Sequence, residues 1–325
     1  MSMKIALIAA EENEIPAYVA QEIRADGAEL LCKKCRTEDE LLRIAADADI
    51  IWTLGPNLVL SDAVLNKLPR CRAIFRSGSG VDELPLEAAA KRGIHVCNSP
   101  EAIAESVAEH TVALLFSLVR QIPFDDRQLR QGIWNSSLDG KDFHISRRTL
   151  GLLGLGRIAR HVVKMLSGFE MRFLGYDPHV SQEEMSSIGV EMLSLTELLK
   201  RSDYVSIHCP LVPATRHLIG KTQFESMKPK ALLINTSRGA VIDEKALYEA
   251  LVARKIGGAA LDVTDPEPPD PKNPLLQLDN VIITPHVAAF SGDFRENFFK
   301  ASLAVIKNLK AGKYERHSVN KNLMN

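Results

Sequence analysis

Short apolar runs alternate with amphipathic stretches along almost the whole chain, in two successive series. The first series consists of KIALIAA, AELLCKK, DIIWTLG, AIFRSG and IHVCN, with IPAYVAQEIRADG, TEDELLRIAA, SDAVLNKL and PLEAAAKRG between them. Runs this short, separated by helical patterns, predict parallel strands that are buried on both faces. The series ends near Asn98-Ser99-Pro100. A long amphipathic helix is then predicted over residues 102–121, with Val107, Val112, Leu115 and Val119 at helical spacing. Residues 123–148 are polar, with Trp134 and Phe143 isolated among them. That segment reads as an exposed excursion. Its composition fits a subunit contact and a plain surface loop with tucked aromatics equally well. The second series begins at Thr149 and comprises TLGLLG, RFLGYD, DYVSIHC, ALLINT, GGAALDV and VIITPH. Helices such as IARHVVKMLSG, SLTELLKR and EKALYEALVARK separate these runs, and a last helix is predicted over residues 291–311. The expectation is an α/β protein of two doubly wound, parallel-sheet halves.

The size agrees with two cores, because 325 residues exceed what one core usually organises. A net charge of −1 gives no reason to expect nucleic acid or an anionic membrane as a partner. The N-terminal run IALIAA is too short to span a bilayer and has no cleavage-site pattern. The apolar stretch SVAEHTVALLFSLV carries Glu109 and His110 and reads as a buried helix. The 5 cysteines are scattered, which fits a reducing cytoplasm. Cys32 and Cys35 form a CxxC without a second pair, on a run that reads as a strand, so they are expected to be ordinary thiols.

The strongest local signal is TLGLLGLGRIARHV, in which Gly154, Gly156 and Ala159 fit G-x-G-x-x-[GA] between a strand and a helix. Gly154 permits the tight turn, Gly156 lets a pyrophosphate approach the backbone, and Ala159 allows close helix–strand packing. The helix N-terminus presents unpaired N–H groups to the phosphates. About twenty residues on, at the end of the next strand, comes the acid Asp177, placed for the ribose hydroxyls. No Arg or Lys follows it closely, so NAD is expected over NADP; His179 would soften that only when protonated.

In an open parallel sheet, ligands sit beyond the carboxyl ends of the strands. In the second series those ends supply Arg238 after ALLINT, Asp262 and Glu267 after GGAALDV, and His286 after VIITP. A lone strand-end His or loop Arg is usually structural. Here an Arg, a Glu and a His share the edge of the dinucleotide turn, which favours chemistry. Hydride transfer to or from a hydroxyl carbon needs a group that exchanges the hydroxyl proton, and His titrates in the right range. A carboxylate on its other nitrogen would fix the tautomer, and a guanidinium can grip a substrate carboxylate. His208 also ends a strand, but it has no nearby acid and reads as lining the cofactor cleft. The acids Asp262, Asp265, Glu267 and Asp270 are closely spaced, yet the prolines of TDPEPPDP leave no turn to converge them, so no metal is expected.

The motifs RSGSGVDELPLEAAAKRGIHVCN, SVAEHTVALL, LGLLGLGRIAR, HCPLVPATRHLIG, MKPKALLINTSRGAVIDEKAL, ALDVTDPEPP and NVIITPHVAAFS resemble the D-isomer-specific 2-hydroxyacid dehydrogenase family over nearly the whole chain. The resemblance implies Arg238 as the substrate-polarising arginine, Glu267 as the carboxylate partner and His286 as the acid/base. It places a carboxylate-binding loop at residues 76–80, including Arg76, Ser77, Gly78 and Ser79. Beyond Asp177, it places cofactor contacts at Arg157, Ile158, Pro210, Thr215, Thr236, Asp262 and Ser106. It also implies a Rossmann NAD-binding domain, residues 100–288, inserted into a flavodoxin-like substrate domain of residues 1–99 and 289–325. The active site would lie in a cleft that closes by hinge motion.

Family members are usually homodimers built on the long helix and the Trp134 segment. The implied activity is NAD-dependent interconversion of a D-2-hydroxy acid and its 2-oxo acid in the cytoplasm. The runner-up is an NAD(H)-sensing binding protein with vestigial activity. Formate oxidation on the same scaffold pairs the histidine with Gln, and Glu267 speaks against it. Two departures stand out: Leu84-Pro85 alters the substrate loop, and the chain stops short of the regulatory domains of some phosphoglycerate dehydrogenases.

Overall fold

Each apolar run named above becomes a strand in the computed structural model, which describes residues 2–55, 59–134 and 144–324. The chain divides into two compact units, Met1–Ile103 with Gly292–Asn325, and Ala104–Ser291. The first unit runs β1 (Lys4–Leu7), α1 (Ala17–Ala25), β2 (Glu29–Cys32), α2 (Glu38–Ala45), β3 (Ile50–Leu54), α3 (Asp62–Leu65), β4 (Ala73–Ser77), α4 (Leu86–Lys91) and β5 (His95–Asn98). Its strands pair in parallel in the order β2-β1-β3-β4-β5, the flavodoxin-like arrangement.

The second unit opens with α5 (Ala104–Val119) and α6 (Ile122–Arg130). It continues through β6 (Thr149–Leu153), α7 (Arg157–Leu166), β7 (Arg172–Tyr176), α8 (Gln182–Ser186), β8 (Val190–Met192), α9 (Leu195–Arg201) and β9 (Tyr204–Ile207). Then come α10 (Lys221–Ser226), β10 (Leu232–Asn235), α11 (Glu244–Val252), β11 (Gly258–Leu261) and β12 (Val281–Ile283). All seven strands are parallel, ordered β12-β11-β10-β9-β6-β7-β8. Counted from β6, that is the Rossmann order extended by one strand. Two of the cores cover the two faces of this sheet, one around Val205, Leu233 and Leu247 and the other around Leu152, Val162 and Tyr204.

Two elements differ from expectation. The segment read as an excursion begins with the helix α6, set off from α5 by Gln121 in a left-handed conformation (φ 53°). Pro123 and Asp125 in its first turn and Arg127 and Arg130 in its last suit the ends of a helix. It buries no residue, so the apolar stripe that marks the other helices is missing. Trp134 is 85% exposed, and Phe143 lies outside the described residues. The strand β8 was also not expected. It has three residues, one of them Glu191, and sits at the sheet edge, where one face needs no apolar side chain.

The final helix α12 (Phe294–Lys310) belongs to the first unit. Phe298, Phe299, Leu303, Ile306 and Leu309 pack on the sheet face formed by Ile5, Leu7, Trp52 and Phe75. Trp52 is fully buried, stacked near Phe75 (centroids 6.2 Å) with Phe299 edge-on (6.4 Å). Its indole N–H donates to Ser77 Oγ at 2.8 Å. Ser302 Oγ donates to the Phe298 carbonyl, so the remaining Ser77–Ser302 contact at 2.8 Å must run from Ser77 to Ser302. A directed chain of hydrogen bonds thus ties the centre of the sheet to the helix.

The tail after α12 covers the open edge of β5. Val319 N donates to Val96 O (2.8 Å) and Asn98 N to His317 O (3.3 Å), and Cys97 faces Ser318 in an antiparallel bridge. This is one way to blunt an edge strand. Asn320 is fully buried, accepts from Val96 N at 2.9 Å and donates to Ile94 O at 3.0 Å. Replacing it by Leu strands both backbone groups away from water. We expect Asn320→Leu to lower the unfolding free energy by about 2–4 kcal/mol, read as a reduced urea midpoint at unchanged slope. A midpoint equal to that of the parent chain would show that the clip contributes nothing.

Candidate active site

The nucleotide turn follows β6. Gly154 has φ +88°, and a Cβ there would come within 2.7 Å of Cys209 N, so the turn and the loop after β9 leave room only for glycine. Gly156 has nothing within 4 Å of an added Cβ and is exposed. The protein itself makes no demand for glycine at that position. The bare backbone at the mouth of α7 is what a pyrophosphate requires, since the first N–H groups of a helix lack partners within it. Ala159 is buried, as the close packing of α7 on the sheet requires. Arg157 is exposed at the first turn of α7 and Ile158 half-buried beside it.

Asp177 follows β7. Its two oxygens accept from Leu155 N and from His179 N, each at 2.9 Å. The carboxylate is thereby fixed at the turn by one bond to each of its oxygens. Thr215 donates to Pro210 O at 2.6 Å and accepts from Val212 N at 2.9 Å, closing the loop after β9. Thr236 is buried and bonds Thr111 of α5 at 2.9 Å. Ser106 of α5 bonds Ser291 at 3.0 Å. His208 bonds Ser206 Oγ at 2.9 Å, and burial lowers its pKa to about 4. It is therefore neutral near pH 7.

Arg238, Glu267 and His286 follow β10, β11 and β12, at the carboxyl edge of the sheet that also carries the nucleotide turn. His286 Nδ1 and Glu267 Oε2 are 2.7 Å apart. The hydrogen bond with Glu267 raises the His286 pKa above its usual value; burial and the Arg238 charge oppose this, and the Glu267 charge reinforces it. Burial pushes Glu267 up, but the bond to His286, its charge, the Thr264 N–H and Arg238 outweigh that, and Glu267 titrates below its usual range. The pair therefore favours imidazolium facing carboxylate. The bond also fixes orientation, because it occupies Nδ1 and leaves Nε2 for a ligand.

The backbone around the pair is tightly determined. A Cβ on Gly239 would lie 2.1 Å from the Thr264 carbonyl, so the Arg238 loop and the proline loop touch. Within TDPEPPDP, Glu267 also accepts from Thr264 N at 3.2 Å. Glu244, at the start of α11, accepts from Asp265 N (2.8 Å) and Asn273 Nδ2 (3.0 Å), gripping the loop from both sides. Asp265 lies 3.6 Å from Arg216, and Asp270 caps Lys272 N. Asp262 points inward, 1% exposed, and accepts from Thr284 Oγ1, Val287 N and Ala288 N. Its side chain is wholly buried, so these bonds hold it within the protein. Among the described residues, no group of three or more His, Cys, Asp or Glu is arranged to hold a metal ion. Glu244, Thr284 and Ser99 were not marked by the sequence; only the helix-starting Asp243-Glu244 pair carries a local signal.

The first unit carries the loop of residues 76–80. Ser77 is buried in the Trp52 chain described above. Gly78 has φ +101°, and its N–H donates to Ser99 Oγ at 3.0 Å. Ser79 O accepts from Asn98 Nδ2 at 2.7 Å. Among the described residues, the N–H groups of Ser79 and Gly80 find no acceptor in this chain. Arg76 Nη1 reaches Ser77 O at 3.4 Å.

Residues 112–288 match the D-isomer specific 2-hydroxyacid dehydrogenase, NAD binding domain, family. The chain belongs to this family. It is 42% identical to a D-3-phosphoglycerate dehydrogenase of Methanocaldococcus jannaschii over 87% of this chain and 54% of that one. It is 39% identical to a glyoxylate reductase of Korarchaeum cryptofilum over 81% of this chain and 78% of that one. The crystal structure of a D-lactate dehydrogenase from Aquifex aeolicus, complexed with NAD and lactic acid, superposes with a TM-score of 0.82 at 31% identity, covering 97% and 99% of the two chains. This chain spans about half the length of the phosphoglycerate dehydrogenases that it matches. The family match makes the nucleotide turn part of an NAD-binding domain.

The two glycines of the turn then have separable roles. Gly154→Ala is expected to destabilise the protein by about 2 kcal/mol or more, from its backbone conformation and the Cys209 contact. Gly156→Ala should change stability by no more than about 1 kcal/mol, while weakening NADH roughly tenfold or more. Thermal melts and NADH fluorescence titrations read the two effects; equal losses of both kinds at both positions would contradict the division.

Proposed function

We propose that this protein is an NAD-dependent oxidoreductase that interconverts a D-2-hydroxy acid and its 2-oxo acid. The observation that carries the reading is the 2.7 Å contact of His286 Nδ1 with Glu267, beside the Arg238 charge and on the sheet edge of the nucleotide turn. We assign nucleotide binding to Ala104–Ser291 and substrate selection to the other unit, so that the chemistry is divided as in residues 100–288 and the remainder.

Gly154, Gly156, Arg157 and Ile158 would hold the cofactor's pyrophosphate. Asp177 would hold its adenosine ribose and repel a 2′-phosphate, with Pro210, Thr215, Thr236, Asp262 and Ser106 completing the site. When bound, the nicotinamide supplies or accepts the hydride. Arg238 grips the substrate carboxylate through its guanidinium and polarises the neighbouring carbonyl. In the other unit, the loop with Arg76, Ser77, Gly78 and Ser79 would contribute to substrate binding, with the Ser79 and Gly80 N–H groups as its available donors. In reduction, His286 Nε2 gives its proton to the substrate oxygen while Glu267 steadies the imidazolium; in oxidation the proton returns to Nε2.

Two further readings go with this one. Ile122, Leu129 and Trp134 leave large apolar side chains exposed on and beside α6, which supports a homodimer through α5 and α6; sedimentation equilibrium that returns one chain's mass would exclude it. The five cysteines are free, which suits the cytoplasm, and among the described residues no helix is long and apolar enough to cross a membrane.

The test is a panel of 2-oxo acids with NADH and NADPH. We expect turnover with NADH on at least one small acid, and His286→Gln to lower kcat by roughly 10²–10⁴-fold while NADH still binds. NADH binding without turnover on any of the acids would leave only a binding protein. Because the His286 pKa is raised by Glu267, reductive kcat/KM should fall as pH rises through that pKa, and oxidation should rise over the same range. Glu267→Gln removes the main raising influence, so the reductive limb should move to lower pH. An unmoved limb would separate Glu267 from the histidine.

A further inference from the structure

The helix α5 contributes a polar side chain that the site described so far does not use. His110 is 24% exposed at its side chain, with Nε2 3.2 Å from Thr284 Oγ1 and 3.6 Å from Asp262 Oδ1. Thr284 Oγ1 in turn lies 2.5 Å from Asp262 Oδ1. The direction of these bonds follows from valence. A carboxylate oxygen only accepts, and a hydroxyl has one hydrogen, so Thr284 donates to Asp262. The Thr284 oxygen must then accept from His110, which places a hydrogen on Nε2. The chain reads His110 Nε2–H to Thr284 Oγ–H to Asp262 Oδ1.

Its far end is the backbone of the His286 turn. His286 N donates to the Asp262 carbonyl at 2.8 Å. Val287 N donates to Oδ1 at 3.0 Å and Ala288 N to Oδ2 at 2.9 Å. Three consecutive N–H groups thus close on one residue. The turn they hold is one that an L-residue rarely adopts, with His286 at φ +53°. Rotation of the Asp262 carboxylate would loosen two of the three bonds, and Thr284 is the side chain that opposes it.

We infer that His110 is a positioning residue for the reaction, acting through Thr284 and Asp262 to hold the turn that aims His286. The inference rests on the reading of His286 as the acid/base. A small error of aim is costly, because a misplacement of about 1 Å can reduce the rate by roughly a hundredfold.

The test compares His110→Gln, His110→Asn, His110→Leu and Thr284→Val, with His286→Gln as reference. A Gln amide nitrogen can stand where Nε2 stands, whereas the shorter Asn amide matches Nδ1. At saturating NADH, the Leu and Asn variants should lose roughly 10- to 100-fold in kcat. The Gln variant should stay within about threefold of the parent, and NADH affinity should change by no more than about threefold in all of them. Thr284→Val removes the middle of the chain and should lose turnover similarly, even if the Leu variant fails to fold. Combined with His110→Leu, it should be no worse than the poorer single variant. Parent-like kcat in Thr284→Val or His110→Leu would overturn the proposal. So would equal losses in the Gln and Asn variants that track only their melting temperatures. Near-normal turnover of His286→Gln would instead remove the reading of His286 itself, whatever the His110 variants do.

Discussion

Parallel pairing is the constraint on which the site depends. When all seven strands of the nucleotide unit run one way, every loop that follows a strand emerges at the same edge. Gly154, Arg238, Glu267 and His286 are far apart in sequence, yet each lies just past a strand of that sheet. The sheet in turn exists because helices cover both faces, which requires short strands apolar on both sides. The composition of the strands and the location of the chemistry are therefore consequences of one arrangement.

Gathering loops at an edge does not aim their side chains. That is done by bonds local to each loop. Gly239 lets the Arg238 loop touch the proline loop. Glu244 grips the proline loop on both sides. Asp262 closes on the His286 turn with its carbonyl and both carboxylate oxygens. In the last two cases a buried or half-buried acid accepts from backbone N–H groups that an irregular loop would otherwise leave unpaired. Acids that look redundant in TDPEPPDP divide accordingly, with Glu267 on the histidine, Asp265 near Arg216 and Asp270 on its own turn.

This explains what could be read from the sequence. The strands, the main helices and the nucleotide turn follow from periodicity and from the glycine spacing, which are properties of neighbouring residues. Arg238, Glu267 and His286 stood out because strand ends are legible and the resemblance was specific. The strand β8 and the helix α6 were missed for a shared reason, since neither carries the apolar pattern of a buried element. In the loop of residues 76–80, the Gly78 N–H is committed to Ser99 Oγ, a contact across the ends of β4 and β5 with no trace in local sequence. Among the described residues, the Ser79 and Gly80 N–H groups keep no acceptor in this chain. His110 was legible only as a polar residue on a buried helix; its partner Thr284 lies just past the last strand.

The charges around His286 give the proposed chemistry a direction. Glu267 raises the His286 pKa, and Arg238 lowers it. The net effect is a raised pKa, so the influence of Glu267 prevails over that of burial and Arg238. A substrate carboxylate on the Arg238 guanidinium would neutralise the charge that depresses His286, so binding would shift the histidine toward its protonated form. A 2-oxo acid would then meet the proton donor that its reduction needs. A 2-hydroxy acid would meet a stronger base, but one more often occupied by a proton, so its oxidation would depend more steeply on pH. Carboxylate binding at Arg238 and protonation of His286 would thus reinforce each other through electrostatics alone, before the cofactor ratio is considered.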